Sequence, residues 1–436
     1  MQHDLPQIGQ WKSFEELRRI QEIQLPHTFA QAAKSPFYRE IVRPKSDLRS
    51  LKDLFKLRPT TKKDLQGSYP FGMLAVPRNN LATYHETSGT SGGPVTPSFY
   101  TQSEWLELMD RFARKSVPIF TSDTLLVRTP YAFGLAAHLA HQAGRMAGAT
   151  IVPGDSRTLV TPYSRVIRTL SDLGVTLTWS TPSECLIWAA AARNAGYEPS
   201  RDFAALRAFY VGGEPLSPAR RDRISRSWGV PVVEEYGCTE IGSMAGTCPA
   251  GHMHFWADRI VAEVYDPSSD RSSLEGIGHL VITPLYREAM PLLRYSIEDI
   301  VEIRYTGCEC GWHLPTIRVL GRSSQFFFGA NPEINQYRME DVIYRLPEEY
   351  GVVFWRARLK SSGVEVEIEV EQHHADAATK DLNATLIAQF GIPCKVSPVR
   401  PGTLVPHEVL ATTLDVVKPR KFFGEQEDWD AAILRC

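Results

Sequence analysis

The run Thr87-Ser88-Gly89-Thr90-Ser91-Gly92-Gly93-Pro94 limits what this chain can build more than any other stretch. Seven consecutive positions without a bulky side chain describe a loop whose backbone approaches a ligand closely. Successive N–H groups of such a turn point into one concavity, and Ser and Thr hydroxyls add donors, so a phosphate group is held without many fixed charges. Composition alone fits a flexible linker equally well. Threonine alternating with glycine, between flanks that read as ordered, favours the phosphate cradle. Neither a P-loop nor a dinucleotide fingerprint fits, because no Gly-Lys-Ser/Thr closes the run and no G-x-G-x-x-G is present.

A chain of 436 residues holds two or more domains and a large core. Its 48 basic and 50 acidic residues leave a net charge of -2, so no global field attracts nucleic acid or an anionic membrane. The expected partners are small molecules or proteins. Met1 to Gln10 lacks the basic-then-apolar profile of a signal peptide, and no apolar run approaches a membrane span. Seven cysteines, an odd count, argue against a secreted disulfide framework and for a reducing compartment, so a cytoplasmic enzyme is expected.

Residues 11 to 42 read as helical, with Trp11, Phe14, Leu17, Ile20 and Ile23 near helical spacing and Pro36 breaking the pattern. Thr61 caps a short helix with Asp64 in its first turn, and Leu81 to His85 is a strand delivering the glycine loop. Ser103 is expected to cap a helix to about Ser116. From Thr124 to Ser227 strands and helices alternate in a β-α-β pattern, which implies a largely parallel sheet covered on both sides. Ligands of such sheets sit at the carboxyl ends of strands, where the loops Val211 to Pro215 and Glu235 to Glu240 are expected. From Ile260 the texture is strands and turns. The tail has its own order: a helix near Arg338 to Leu346, an alternating strand Glu365 to Glu371, a helix Ala375 to Phe390 and a strand near Lys395 to Val399. The fold class is therefore α/β, with a large domain over 1–322, parallel-rich sheets flanked by helices plus a β-rich subdomain at about 245–320, and a small mobile α+β domain over 323–436.

Thr60 to Leu65, Tyr69-Pro70-Phe71-Gly72, Ala75 to Arg78, His85 and Thr87 to Pro94 closely resemble phenylacetate–CoA ligases of the adenylate-forming superfamily. The likeness continues in order through Gly212-Gly213-Glu214-Pro215, Tyr236-Gly237-Cys238-Thr239-Glu240, Arg294-Tyr295, Asp299 and Gly321-Arg322-Ser323-Ser324. The resemblance implies a carboxylate attacking the α-phosphate of ATP, with the acyl-adenylate then passed to a thiol. On this pattern Thr87, Ser88, Gly89, Thr90, Ser91 and Gly92 hold the β- and γ-phosphates. Gly213, Glu214 and Pro215 border the adenine, Tyr236 stacks on it, Gly237 belongs to the same nucleotide-binding set, and Thr239 with Glu240 contacts the α-phosphate and Mg²⁺. Asp299 accepts from the ribose hydroxyls, with Arg322 nearby. Read singly, Glu240 also suits a solvated loop, Tyr236 a core and Asp299 a cap or turn.

Cys248, His254, Cys308 and Cys310 supply three soft thiolates and an imidazole suited to a closed, structural Zn²⁺ site, and similar ligases carry a metal there. Alignment with the family favours His254 over His252. Tyr131, Phe133, Gly134, Trp179, Ser180, Pro182, Ile241, Gly242 and Met244 occupy positions that line the acid pocket of similar ligases, and aromatic walls suit a planar aryl acid. The same aromatics suit plain core. The resemblance also suggests a homodimer.

Three departures stand out. Gly93 replaces a lysine in the phosphate loop, Ser324-Gln325 replaces the paired aspartates of the hinge, and Val405 to Thr413 lacks the family's near-terminal catalytic lysine. Lys418 and Lys421 are the candidate substitutes. The expected product acceptor is coenzyme A, a carrier-protein thiol or an amine; the other reading is a relative that only binds nucleotide or acyl-adenylate.

Overall fold

Hydroxyl caps mark where several of the helices begin. Ser13 accepts from the Glu16 N–H at the start of Phe14–Ala32, Thr61 and Asp64 form a capping box on Lys62–Gly67, and Thr181 and Ser217 cap Pro182–Asn194 and Pro218–Trp228. The helix Gln102–Ala113 corrects the Ser103 expectation. Its cap is Thr101, whose N–H donates to Glu104 at 2.6 Å, while the Ser103 hydroxyl turns to Glu288 at 2.9 Å. In Phe14–Ala32 the inward stripe is Leu17, Gln21, Leu25, Thr28, Phe29 and Ala32. Ile23 lies off it and is 77% exposed, so the apolar spacing first read from Trp11 carries one residue too many.

The computed structural model describes residues 11–42, 48–87, 95–156, 160–323, 334–406 and 421–432. The predicted loop residues Ser88 to Gly92, the pair Ser324-Gln325 and Lys418 lie outside them. The chain divides into two compact units: Met1–Ser122, Pro130–Ile151 and Val233–Val319 form one, and Asp123–Thr129, Val152–Val232 and Leu320–Cys436 the other.

In the first unit Leu81–Thr87 pairs antiparallel with Thr96–Thr101. A run of strands follows the hydrogen-bonded order Arg271–Ser273, Ile260–Asp266, Gly276–Pro284, Tyr295–Arg304, Thr316–Arg322, Met253–Phe255, Gly242–Thr247 and Val232–Cys238. Their inner faces and the helix stripes share one core that includes Leu25, Phe29, Phe255, Trp256 and Val301. Each such side chain contributes about 1.5–3 kcal/mol by leaving water. The register of Tyr295–Arg304 is pinned by a closed polar ring: Tyr38 Oη lies 2.8 Å from Thr60 Oγ1, Thr60 donates to Leu293 O at 2.7 Å, and Leu293 N–H donates back to Tyr38 at 2.9 Å. Burial pushes the Tyr38 phenol up to about 12, so it stays a neutral donor and acceptor.

In the second unit Ala208–Gly212, Leu177–Ser180, Thr124–Val127 and Thr150–Pro153 are ordered side by side, and the pairs joining the first three are parallel. This is the arrangement the β-α-β alternation predicts. The later segment supplies a sheet ordered Cys394–Val399, Gly363–Glu369, Trp355–Lys360 and Phe422–Phe423, with helices Gln336–Ile343 and Ala375–Phe390. Val364, Val366 and Ile368 point inward while Glu365 and Glu367 alternate outward, as a half-buried strand requires. Among the described residues no helix is long and apolar enough to cross a membrane.

Candidate functional site

The strand Val232–Cys238 and its antiparallel neighbour Gly242–Thr247 are joined by Thr239-Glu240-Ile241. Glu235 to Cys238, expected in a loop, therefore belong to a strand, and only the three joining residues form the turn. A three-residue hairpin calls for a left-handed residue at its end, which Gly242 supplies with φ +76°. A side chain at Gly242 would run into Leu108, and one at Gly237 into the Gly242 carbonyl. Both positions are thereby restricted to glycine, and Glu240 is held at the tip. Glu240 is 5% exposed, and its carboxylate accepts from Tyr295 Oη at 2.9 Å. Burial first, and the Glu240 charge second, push the Tyr295 phenol well above its ordinary range, so Tyr295 remains the donor.

Tyr236 Oη donates to Asp299 Oδ2 at 2.5 Å, which ties the predicted adenine platform to the predicted ribose acceptor. Asp299 sits at an irregularity of Tyr295–Arg304, where the pairing with Gly276–Pro284 shifts register between His279 and Val281. Two residues without glycine's freedom take positive φ around it, Arg294 at +50° and Glu298 at +67°. Such backbone costs about 1–3 kcal/mol per residue and persists where surroundings over-determine it. Arg294 is over-determined: it reaches Glu263 at 3.1 Å, Ser272 at 2.8 Å and the carbonyls of Phe55 and Leu57.

The turn carrying Glu240 rests on buried groups that the motifs did not reveal. Arg111, fully buried, donates to the carbonyls of Ile241 at 3.0 Å and Ser243, and its guanidinium lies 4.1 Å from the Tyr286 ring centre. Tyr286 Oη donates to the same Ile241 carbonyl at 2.6 Å. Tyr100 donates to Thr239 O, and Arg287 stacks 4.0 Å over the Tyr100 ring while pairing with buried Glu104 at 2.9 Å. The available signal was a charged residue on the apolar face formed by Leu108, Met109 and Phe112.

Thr87 ends its strand with a buried Oγ1 that has no hydrogen-bond partner among the described residues. Nearby, a cavity of about 460 Å³ is lined by Thr83, Tyr84, His85, Trp105, His138 and Gln142. His85 stacks on Trp105 at 5.4 Å, and burial, with the His138 imidazole beside it, pushes its pKa down to about 4. Of the predicted acid-pocket residues in this unit, Tyr131 Oη lies 3.1 Å from His141 Nδ1, Phe133 is 60% exposed, Gly134 precedes the helix Leu135–Met146, and Ile241, Gly242 and Met244 are buried.

In the second unit Trp179 and Ser180 are buried at the end of their strand and Pro182 begins a helix. Gly213 takes φ +82°, and the Glu214 carboxylate accepts from Arg220 at 2.9 Å and Ser183 at 2.7 Å. Pro215 offers its carbonyl to Arg220 at 3.3 Å. Arg322 is exposed at the end of Thr316–Arg322, and Lys421 is buried with Nζ 3.7 Å from Glu340.

The predicted metal ligands come together. The ligating atoms of Cys248, His254, Cys308 and Cys310 all lie within 4.8 Å of one another. Cys248 and Cys308 sulfurs are 4.0 Å apart and Cys310 Sγ is 3.5 Å from His254 Nε2. Bonds of about 2.3 Å to sulfur and 2.0 Å to nitrogen in a tetrahedron require edges of this size. His254 Nδ1 lies 2.8 Å from Leu314 O, which fixes the tautomer that leaves Nε2 for a metal, and Trp312 N–H donates to Cys310 Sγ at 3.3 Å. The donor set therefore fits a thiophilic, tetrahedral cation. His252 Nδ1 also stands 3.4 Å from Cys308 Sγ, on the exposed side.

The model of the family described as AMP-binding enzyme matches residues 33–281. Phenylacetate-coenzyme A ligase of Thermus thermophilus is 30% identical over 374 residues, covering 82% of each chain. The protein of the same name from Aromatoleum evansii is 27% identical over 413 residues, covering 89% of this chain and 91% of its own. A crystal structure of 2-hydroxyisobutyryl-CoA ligase in the postadenylation state shares the fold, with a TM-score of 0.83, 21% identity, and coverage of 99% of this chain and 96% of that one. The chain belongs to the AMP-binding enzyme family, and within it is similar to the phenylacetate-coenzyme A ligases.

Proposed function

We propose that the chain is an ATP- and Mg²⁺-dependent, AMP-forming ligase that activates a small aromatic carboxylic acid and passes the acyl group to coenzyme A. The observation that carries this reading is the Tyr236–Asp299 hydrogen bond together with the Glu240–Tyr295 hydrogen bond, which hold three family-motif side chains of the first unit, Tyr236, Glu240 and Asp299, in one scaffold. An acid oxygen attacks the α-phosphorus and pyrophosphate leaves with the bonding pair; the thiol then attacks the acyl carbon and AMP leaves. In such chemistry the protein supplies positioning and charge neutralisation. Tyr236 stacks on the adenine, Asp299 accepts from the ribose hydroxyls, and Thr239 with Glu240 faces the α-phosphate. Glu240 would hold Mg²⁺, which when bound neutralises phosphate charge. The aromatic acid is supported by the phenylacetate-coenzyme A ligases among the relatives.

Cys248, His254, Cys308 and Cys310 would hold a structural Zn²⁺ that ties two loops together. Residues 323–436 would act as a small lid domain. Because Lys421 is engaged with Glu340, Lys418 is the candidate for the missing near-terminal cation. A cytoplasmic homodimer belongs to the same reading. The test is incubation with ATP, Mg²⁺, coenzyme A and a panel of aryl acids, followed by mass detection of AMP and acyl-coenzyme A. Both products are expected with at least one acid; AMP formed with none would overturn the proposal.

A further inference from the structure

Four charged side chains are buried together in the second unit. Arg220 Nη2 reaches Glu214 at 2.9 Å and Ser183 at 2.7 Å, while its Nη1 reaches Glu340 at 3.3 Å and the Pro215 carbonyl at 3.3 Å. Glu340 also accepts from Ser217 N–H at 2.9 Å, and neighbouring Asp341 accepts from Ala219 N–H at 2.9 Å. Lys421 completes the set, with Nζ 3.7 Å from Glu340 and its carbonyl accepting from Ala357 N–H at 2.8 Å. Side-chain exposure is 0% for Arg220 and Glu340 and 4% for Glu214 and Lys421. Two carboxylates face two cations, so the buried charges balance.

That balance is divided unevenly along the sequence. Glu214 lies within the Gly213-Glu214-Pro215 turn and Arg220 on the helix Pro218–Trp228 that follows it, Glu340 lies on the helix Gln336–Ile343, and Lys421 adjoins the strand Phe422–Phe423 of the tail. One guanidinium thus serves both carboxylates and holds the carbonyl of the turn. Without the Lys421 ammonium, Glu340 competes harder for Arg220, and an uncompensated charge remains buried. Removing one member of such a cluster redistributes the remaining contacts rather than deleting one of them.

We infer that Lys421 is a positioning residue for nucleotide binding: through Glu340 and Arg220, docking of the tail sets the geometry of the Gly213-Glu214-Pro215 turn and so the affinity for ATP. The inference rests on the proposed use of ATP and deepens it, since it links the last described strand of the chain to the turn assigned to the adenine. Thermodynamic reciprocity then requires nucleotide to strengthen tail docking by the same factor.

The test measures binding of the α,β-methylene analogue of ATP to the full-length protein by titration calorimetry. Lys421→Met should weaken binding about tenfold, within the usual range of coupling between sites. Adding Glu340→Gln should recover most of that loss, because the double variant is again charge-balanced and glutamine still accepts from Ser217. A role limited to packing predicts no recovery. Equal affinity in Lys421→Met and wild type, or loss without recovery in the double variant, overturns the inference while leaving ATP use intact. Wild-type protein that binds no analogue overturns both. If Lys421→Met does not fold, amide exchange of the wild type decides: the analogue should slow exchange at 421–423 together with 212–217, and unchanged exchange at 421–423 overturns the inference.

Discussion

Replacing Arg111 by methionine keeps the stem's volume and removes the guanidinium that braces the Glu240 turn. Two effects oppose each other. The variant no longer buries a charge whose nearest carboxylate, Glu107, is 3.8 Å away, which is a gain. Against that, Ile241 and Ser243 carbonyls lose a charge-assisted donor, and contacts of that kind contribute about 1.5–3 kcal/mol each. Ile241 O keeps its bond from Tyr286, so its loss is partial; Ser243 O loses Arg111 outright. The cation–π contact with Tyr286 at 4.1 Å adds up to about 2 kcal/mol when desolvated. The losses outweigh the gain, and a net destabilisation of about 2–4 kcal/mol is expected from these terms. Urea unfolding should show it as a lower midpoint at unchanged slope. Acid-dependent pyrophosphate exchange, measured well below the unfolding midpoint, should fall about tenfold for each 1.4 kcal/mol of turn positioning lost. A variant within about 0.5 kcal/mol of wild type, with unaltered exchange, would refute the claim that Arg111 holds the turn.

Three further substitutions test other parts of the scaffold. Tyr236→Phe retains the ring and removes the bond to Asp299; the KM for ATP should rise about tenfold with little change for the acid, and an unchanged KM would detach Tyr236 from the nucleotide. Elemental analysis should find one zinc per chain, and Cys308→Ser should lower both zinc content and thermal stability; metal-replete protein without zinc would contradict the ligand assignment. His85 has a folded pKa depressed to about 4 against an ordinary 6.5, so the unfolded chain binds a proton that the folded chain refuses between those values. Stability should therefore fall as pH drops from about 6.5 to 4, and His85→Gln should flatten that part of the profile; an identical slope in the variant would exclude His85 as its source.

The elements that a short window decides were legible in the sequence. The Thr61–Asp64 capping box, the inward Val364-x-Val366-x-Ile368 alternation and the parallel order of the strands before Gly212 all follow from local pattern. So did the meeting of Cys248, His254, Cys308 and Cys310, because three thiols and an imidazole have few other reasons to sit in two short clusters. The loop expected from Glu235 was a strand up to Cys238, since Gly237, which pairs with Ser243 beside a register shift, reads as a breaker in the sequence. Arg111, Tyr100 and Arg287 were invisible as site residues: they brace the Glu240 turn by hydrogen bonds and stacking between segments remote in sequence, and nothing in their own neighbourhoods encodes that distance. Arg294 stood in a matched motif, but its positive φ and its burial against Glu263 are visible only in the structure.

The first half-reaction isolates the central claim, because it needs ATP, Mg²⁺ and an acid but no acceptor. Labelled pyrophosphate should exchange into ATP only when an accepted aryl acid is present, and Glu240→Gln, folded by circular dichroism, should abolish that exchange. Exchange that is absent from wild type with every acid, or that survives undiminished in Glu240→Gln, would contradict the account.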